Sequence, residues 1–231
     1  MPRFSPQKTR HLVVVFGDQL DPKSAALEGF DASQDAVWMA EVAAESTHVW
    51  SHKQRIALFL SAMRHFRDAQ RALGRTVHYT ELGDAGNRGR LSAQLRTFFD
   101  GHKPEKVICT EPGEHRVRTG LEKVCREAGV VLEIRVDAHF LSTAEDFSRH
   151  AEGRKELRME YFYREMRQKH GVLLDARGKP EGGAWNFDKE NRKAFGKEGP
   201  RLRHPSPRFQ PDALTLAVLR EVAERFPDHP A

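Results

Sequence analysis

Five short β-prone runs separated by helix-patterned stretches constrain this chain more than any other feature. Strand–helix–strand alternation folds into a parallel sheet with helices on its faces. The first run, Leu12-Val13-Val14-Val15-Phe16, is apolar at every position, as a central strand buried on both faces must be. Ala36–Val42, Val77–Leu82, Val107–Thr110 and Val131–Val136 read as the other four strands. Between them, Ile56, Phe59, Leu60, Met63 and Phe66 recur at three- and four-residue intervals and predict an amphipathic helix over residues 52–73, ended by Gly74. Further helices are expected at about 90–101, after a Gly/Asn/Asp loop at 83–89, and at about 114–128, closed by Gly129. The fold class that follows is α/β: a doubly wound five-stranded parallel sheet flanked by helices.

The pattern changes beyond residue 150. A helix over about 153–169 sets Leu157, Tyr161, Phe162 and Met166 on one side, and residues 171–211 are then rich in loops, Gly and Pro. A last helix, about 212–225, carries Leu214, Val218 and Val222 on one side. With little left to pack on, it reads either as the start of a helical domain cut short or as an element that folds back on residues 1–150. The expected division is a ligand-binding α/β domain over 1–150, followed by a basic, helical, loop-rich connecting segment and the start of a truncated helical domain over 151–231.

Composition excludes several classes. Hydrophobic residues make up 39% and charged residues 31%, so a real core fits within a polar surface. No apolar run is long enough to cross a bilayer, and the basic first ten residues lack a signal-peptide core, so no membrane role and a cytoplasmic location are expected. The formal net charge of +5 is mild, but residues 151–208 are dense in Arg and Lys, which suits contact with phosphate. Cys109 and Cys125 are too few for a disulfide framework or a zinc cluster and read as buried free thiols. Of the twelve histidines only His48 and His52 stand four apart, and no Cys/His cluster accompanies them, so no metal site is expected. A Gly-x-Ser-x-Gly elbow, a Walker loop and a Gly-x-Gly-x-x-Gly turn are all missing, which argues against a serine hydrolase, an NTPase and an ordinary dinucleotide dehydrogenase.

Ligands of an open parallel sheet bind beyond the carboxyl ends of its strands, at the switch point. The exits here are Gly17-Asp18-Gln19-Leu20, Glu41 to Glu45, Glu81 to Asp84, Glu111 to Glu114 and Asp137 to His139. Gly17 permits close backbone approach, while Asp18 and Gln19 bring acceptors and a donor above the sheet. Asp18 as a cap and Glu45 as a helix start are the plainer alternatives. Carboxylates and amides without a phosphate cradle fit a neutral, ring-shaped, hydrogen-bonding ligand better than a pyrophosphate.

Several motifs together carry a family resemblance: Phe16-Gly17-Asp18-Gln19-Leu20, Ala40-Glu41-Val42-x-x-Glu45, His52-Lys53-Gln54-Arg55-Ile56, Thr110-Glu111-Pro112-Gly113-Glu114, Arg154 to Arg164, and Trp185-Asn186-Phe187-Asp188 running to Arg192. From about residue 11 to the end the chain resembles the bacterial photolyase-related proteins, the iron–sulfur (6-4) photolyase and cryptochrome branch. The resemblance implies an antenna domain that binds 6,7-dimethyl-8-ribityllumazine through Gly17, Asp18, Gln19 and Leu20, with Glu41 and Glu45. It implies DNA or domain-junction contacts at Arg154, Arg158, Arg164, Trp185, Asn186 and Arg192. The family's FAD and [4Fe–4S] cluster are expected only in a carboxy-terminal domain missing here, since two cysteines cannot supply four thiolates. The resemblance therefore implies a DNA photolyase as the full-length protein, acting on damaged DNA, with no catalytic residue in this part, which is expected to be inactive alone. Weak nonspecific DNA binding and a monomeric state are expected of it. A blue-light receptor of the same branch, or a stand-alone nucleotide- or flavin-binding module, are the alternatives.

Overall fold

The computed structural model describes residues 9–188, 194–199 and 207–231. Its sheet consists of β1 (His11–Val14), β2 (Ala36–Ala40), β3 (Thr76–Thr80), β4 (Lys106–Thr110) and β5 (Val131–Arg135), in the order β3-β2-β1-β4-β5. Every pairing is parallel, with Val13 opposite both Val37 and Ile108. The doubly wound α/β architecture is thus the one expected. The chain winds from β1 outward to β3, then returns to the other side of β1, so the switch point falls between β1 and β4.

The apolar run of β1 serves both faces, as its composition requires. Leu12, Val14 and Phe16 pack with Trp38, Cys109, Leu95, Leu121 and Val124 under α3 (Leu91–Gly101) and α4 (His115–Ala128). Val13 and Val15 pack on the opposite face with Met39, Ile108, Met63 and Phe66, the last two from α2 (Lys53–Ala72). Cys109 and Cys125 are free and buried in the first of these clusters, and burial pushes their thiols up to about 12 and about 11. They are inert core residues at neutral pH.

The chain forms two compact units, one comprising the residues up to Ala138 with Pro211–Ala231, the other His139–Gln210. The last helix, Ala213–Arg225, belongs to the first unit: Val218, Val222 and Phe226 are buried against Ile56, Ala57, Leu60 and Leu82. Of the two readings of this helix, folding back on the α/β domain is the one observed. The apolar stripe of α2 is wide enough for two partners, Met63 and Phe66 facing the sheet while Ile56, Ala57 and Leu60 face the last helix.

In the second unit, α5 (Ala144–Ala151) and α6 (Met159–His170) replace the single helix expected over 153–169. Thr143 and Asp146 form a capping box that starts α5, and Gly153 turns with φ +71° between the helices. Phe162 alone of the expected apolar side is buried, edge-on to Phe147 at 5.4 Å, while Leu157, which precedes α6, and Tyr161 stay exposed. Lys169 Nζ donates to both Asp146 oxygens at 2.7 Å, and with the Thr143 hydrogen bonds it holds this carboxyl down at about 2. No helix among the described residues is long and apolar enough to cross a membrane.

Candidate functional site: a cleft at the switch point

A cleft of about 920 Å³, including the open solvent at its mouth, lies where the exits of β1, β2 and β4 converge. Its floor is Phe16, Gly17 and Ala40, and its apolar walls are Val42, Ile56, Phe59, Leu60, Met63 and Val117. Asp18, Ser51, Arg55, Glu45 and Glu114 supply polar groups around them. The loops after three parallel strands are brought together by the sheet order, which is the reason the site sits here.

At Gly17 the backbone comes close to the α2 wall. A Cβ there would stand 2.8 Å from Met63 Sδ, so a side chain at 17 forces the Met63 side chain of the cleft wall to shift. Asp18 reaches the solvent at the mouth. Its carboxyl is nonetheless raised above the usual carboxylate range, first because protein crowds out part of its hydration and then because Glu114, Glu45 and Asp137 are of like charge. Gln19 and Leu20 do not line the cleft: Gln19 Nε2 donates to the Glu111 carbonyl at 2.8 Å, tying the β1 exit to the β4 exit, and Leu20 packs against the α2-side core.

Glu41 lines the cleft but its carboxylate is already engaged. Arg64 Nε and Nη2 donate at 2.7 and 2.8 Å, Tyr79 Oη at 2.5 Å and the Leu82 amide at 2.8 Å. Burial, and then the Glu41 charge, raise the Tyr79 phenol strongly, and the Glu41 hydrogen bonds raise the Arg64 guanidinium despite its burial. Arg64 Nη2 also donates to Glu221 of the last helix at 2.6 Å, so this buried network joins β2, α2 and the last helix. Glu45, on α1 (Ala43–Thr47), is gripped by Arg116 through two 2.8 Å hydrogen bonds. Phe59, Met63, Arg55 and Ser51 were not foreseen as lining residues, because helical spacing marked Phe59 and Met63 as core and gave Arg55 and Ser51 no distinguishing signal.

The basic candidates of the second unit are mostly paired within it. Arg154 donates to Glu165 at 2.9 Å, and Arg158 lies 3.6 Å from Glu156. Arg164 binds Glu160 and lies 5.8 Å from the Trp185 ring centre, with Arg167 at 5.1 Å. Asn186 hydrogen-bonds Glu160. Trp185 therefore lies within cation–π range of two guanidinium groups. Arg192 lies outside the described residues. No group of three or more His, Cys, Asp or Glu among the described residues is placed to hold a metal ion.

A doubly wound sheet with an apolar, polar-edged cleft at its switch point defines an α/β domain whose cleft lies where such sheets place their ligand sites. A family model described as "Deoxyribodipyrimidine photo-lyase-related protein" matches residues 13–231. A curated "(6-4) photolyase" of Agrobacterium fabrum (strain C58 / ATCC 33970) is 44% identical over 218 residues, 94% of this chain and 42% of that protein. The chain belongs to the deoxyribodipyrimidine photo-lyase-related protein family, and spans about two fifths of the length of this relative.

Proposed function

We propose that this chain is the antenna-binding part of a light-dependent DNA-repair flavoprotein of the (6-4) photolyase type, and that its cleft holds 6,7-dimethyl-8-ribityllumazine. The observation that carries this reading is the cleft itself: an apolar slot between Phe59, Met63 and Val117 with Asp18 and Ser51 at its edge. A bicyclic ring needs flat apolar walls, and a neutral ribityl chain needs side-chain acceptors rather than a phosphate cradle. Gly17 supports it further, since the backbone there leaves the opposite wall the room a Cβ would take. When bound, the chromophore supplies light absorption. The protein's residues orient it: the α2 side chains fix the ring plane, Asp18 accepts hydrogen bonds from the hydroxyl chain, and the apolar walls exclude water.

Repair of DNA is proposed for the longer protein, with the flavin held by polypeptide outside these residues. The residues present do not fit a four-thiolate iron–sulfur cluster, because both cysteines are buried in the sheet core with raised thiols. No step is routed through such a cluster here.

Incubation with the ribityllumazine, gel filtration and an absorbance scan of the protein peak test the reading. The expected result is a chromophore that co-elutes with the protein, with less of it retained by Gly17→Val, whose side chain meets Met63. A folded protein that emerges without chromophore overturns the assignment.

A further inference from the structure

Helix α1 covers one side of the cleft with Glu45 and Ser46, yet buries none of its own residues. Val49 and Trp50, which follow it, are 61% and 65% exposed. With no buried residue, α1 itself is not held by apolar packing. Trp50 stacks on His229 at 4.3 Å, but the ties of α1 itself to the rest of the unit are few and polar: the Ala44 amide donates to the Gly89 carbonyl at 3.0 Å, and Glu45 receives the Arg116 fork. Arg116 comes from the first turn of α4, on the far side of the cleft, and also donates to Glu114 at 2.8 Å. The bidentate geometry is the strong form of this contact, and both carboxylates hold the guanidinium firmly in its charged state.

Glu45, with Phe16, Leu91 and Val117, lines both the cleft and a smaller neighbouring hollow of about 580 Å³, open solvent included, under Trp38, Leu95 and Leu121, whereas Arg116 lines only the second. Arg116 thus reaches the cleft through Glu45. We propose that Glu45 and Arg116 are a latch holding α1 over the cleft, which makes Arg116 a positioning residue for the bound chromophore and gives Glu45 a closing role in place of a ligand contact. This rests on the cleft being the chromophore site. An exposed, well-aligned pair of this kind contributes about 1 kcal/mol at most, so opening the latch accelerates ligand escape by roughly fivefold while the core stays folded.

The exchange of charges decides the matter. Dissociation of the ribityllumazine is followed by stopped-flow fluorescence for the parent, Arg116→Ala, Glu45→Gln and the swap Glu45→Arg/Arg116→Glu. The expected result is dissociation three- to fivefold faster in both single variants, restored to near the parent rate in the swap. Raising the salt concentration should accelerate the parent and swap but not the single variants. Hydrogen exchange of the amides of residues 43–48, without added chromophore, should be faster in Arg116→Ala and normal in the swap. A swap that releases chromophore as fast as Glu45→Gln, or an Arg116→Ala protein with unchanged exchange and release, overturns the latch. Absence of chromophore binding in the parent overturns the cleft assignment itself, and the latch with it.

Discussion

Single side chains at the cleft face conflicting demands, and Asp18 shows the conflict best. Its carboxyl is raised in the folded protein, first by loss of hydration and then by Glu114, Glu45 and Asp137. A carboxyl whose folded pKa lies above its unfolded value, near 3.9, favours folding most when both states are protonated. That contribution is lost as pH rises through the raised value, so at neutral pH the ionised Asp18 works against the fold. Asp18→Asn should therefore raise Tm at pH 7, and the gain should shrink toward nothing below pH 4, as calorimetry across pH 3–8 would show. The same variant should retain less ribityllumazine. A gain over the parent no larger at pH 7 than at pH 3.5 would mean that the local field does not penalise the charge. Gly-Asp after a β-branched run pointed to this position; that its neighbours are Glu114 and Asp137, from two other strand exits, follows only from the sheet order.

Among the elements, α2 does the most, packing on the sheet with one side and on the last helix with another. The charged network at its centre fixes that geometry. Arg64 is 6% exposed and serves Glu41 and Glu221 together, and Glu81 lies 3.8 Å away. Removing one partner of a buried ion pair leaves an uncompensated charge and costs about 3–5 kcal/mol. Arg64→Met should lose stability of that order in urea unfolding with an unchanged m-value, while Glu221→Gln, at the solvent-facing end of the network, should lose less. Equal losses in the two variants would place the energy in the last helix rather than at Glu41. The helical period of α2 was plain from Ile56 to Phe66, but not that its stripe divides between two partners. Likewise Thr143 and Asp146 form a legible capping box, yet the apolar spacing of Leu157 to Met166 drew the helix boundary too early, because Gly153 breaks the chain between α5 and α6.

On the scale of the whole molecule, charge is divided as sharply as packing. The entire formal +5 falls within residues 139–210, and the α/β unit with the last helix is balanced. Many of the second unit's arginines are spent on its own carboxylates and on Trp185, which limits what they can offer to phosphate. Titration with fluorescent duplexes should accordingly show weak binding that falls steeply with salt and does not distinguish a (6-4) lesion from intact DNA. A strong preference for the damaged duplex would place lesion contacts within these residues. The fold class, the five strands and the exits that carry Gly17, Asp18, Glu41 and Glu45 are legible in the order of residues, because strand and helix periods are local and parallel topology has few solutions. Only the tertiary structure decided that Glu41 and Glu45 are committed to Arg64 and Arg116, that Phe59 and Met63 wall the cleft, and that the last helix returns to α2. Those outcomes depend on which distant side chain reaches a charge or apolar face first, and no local pattern records that distance.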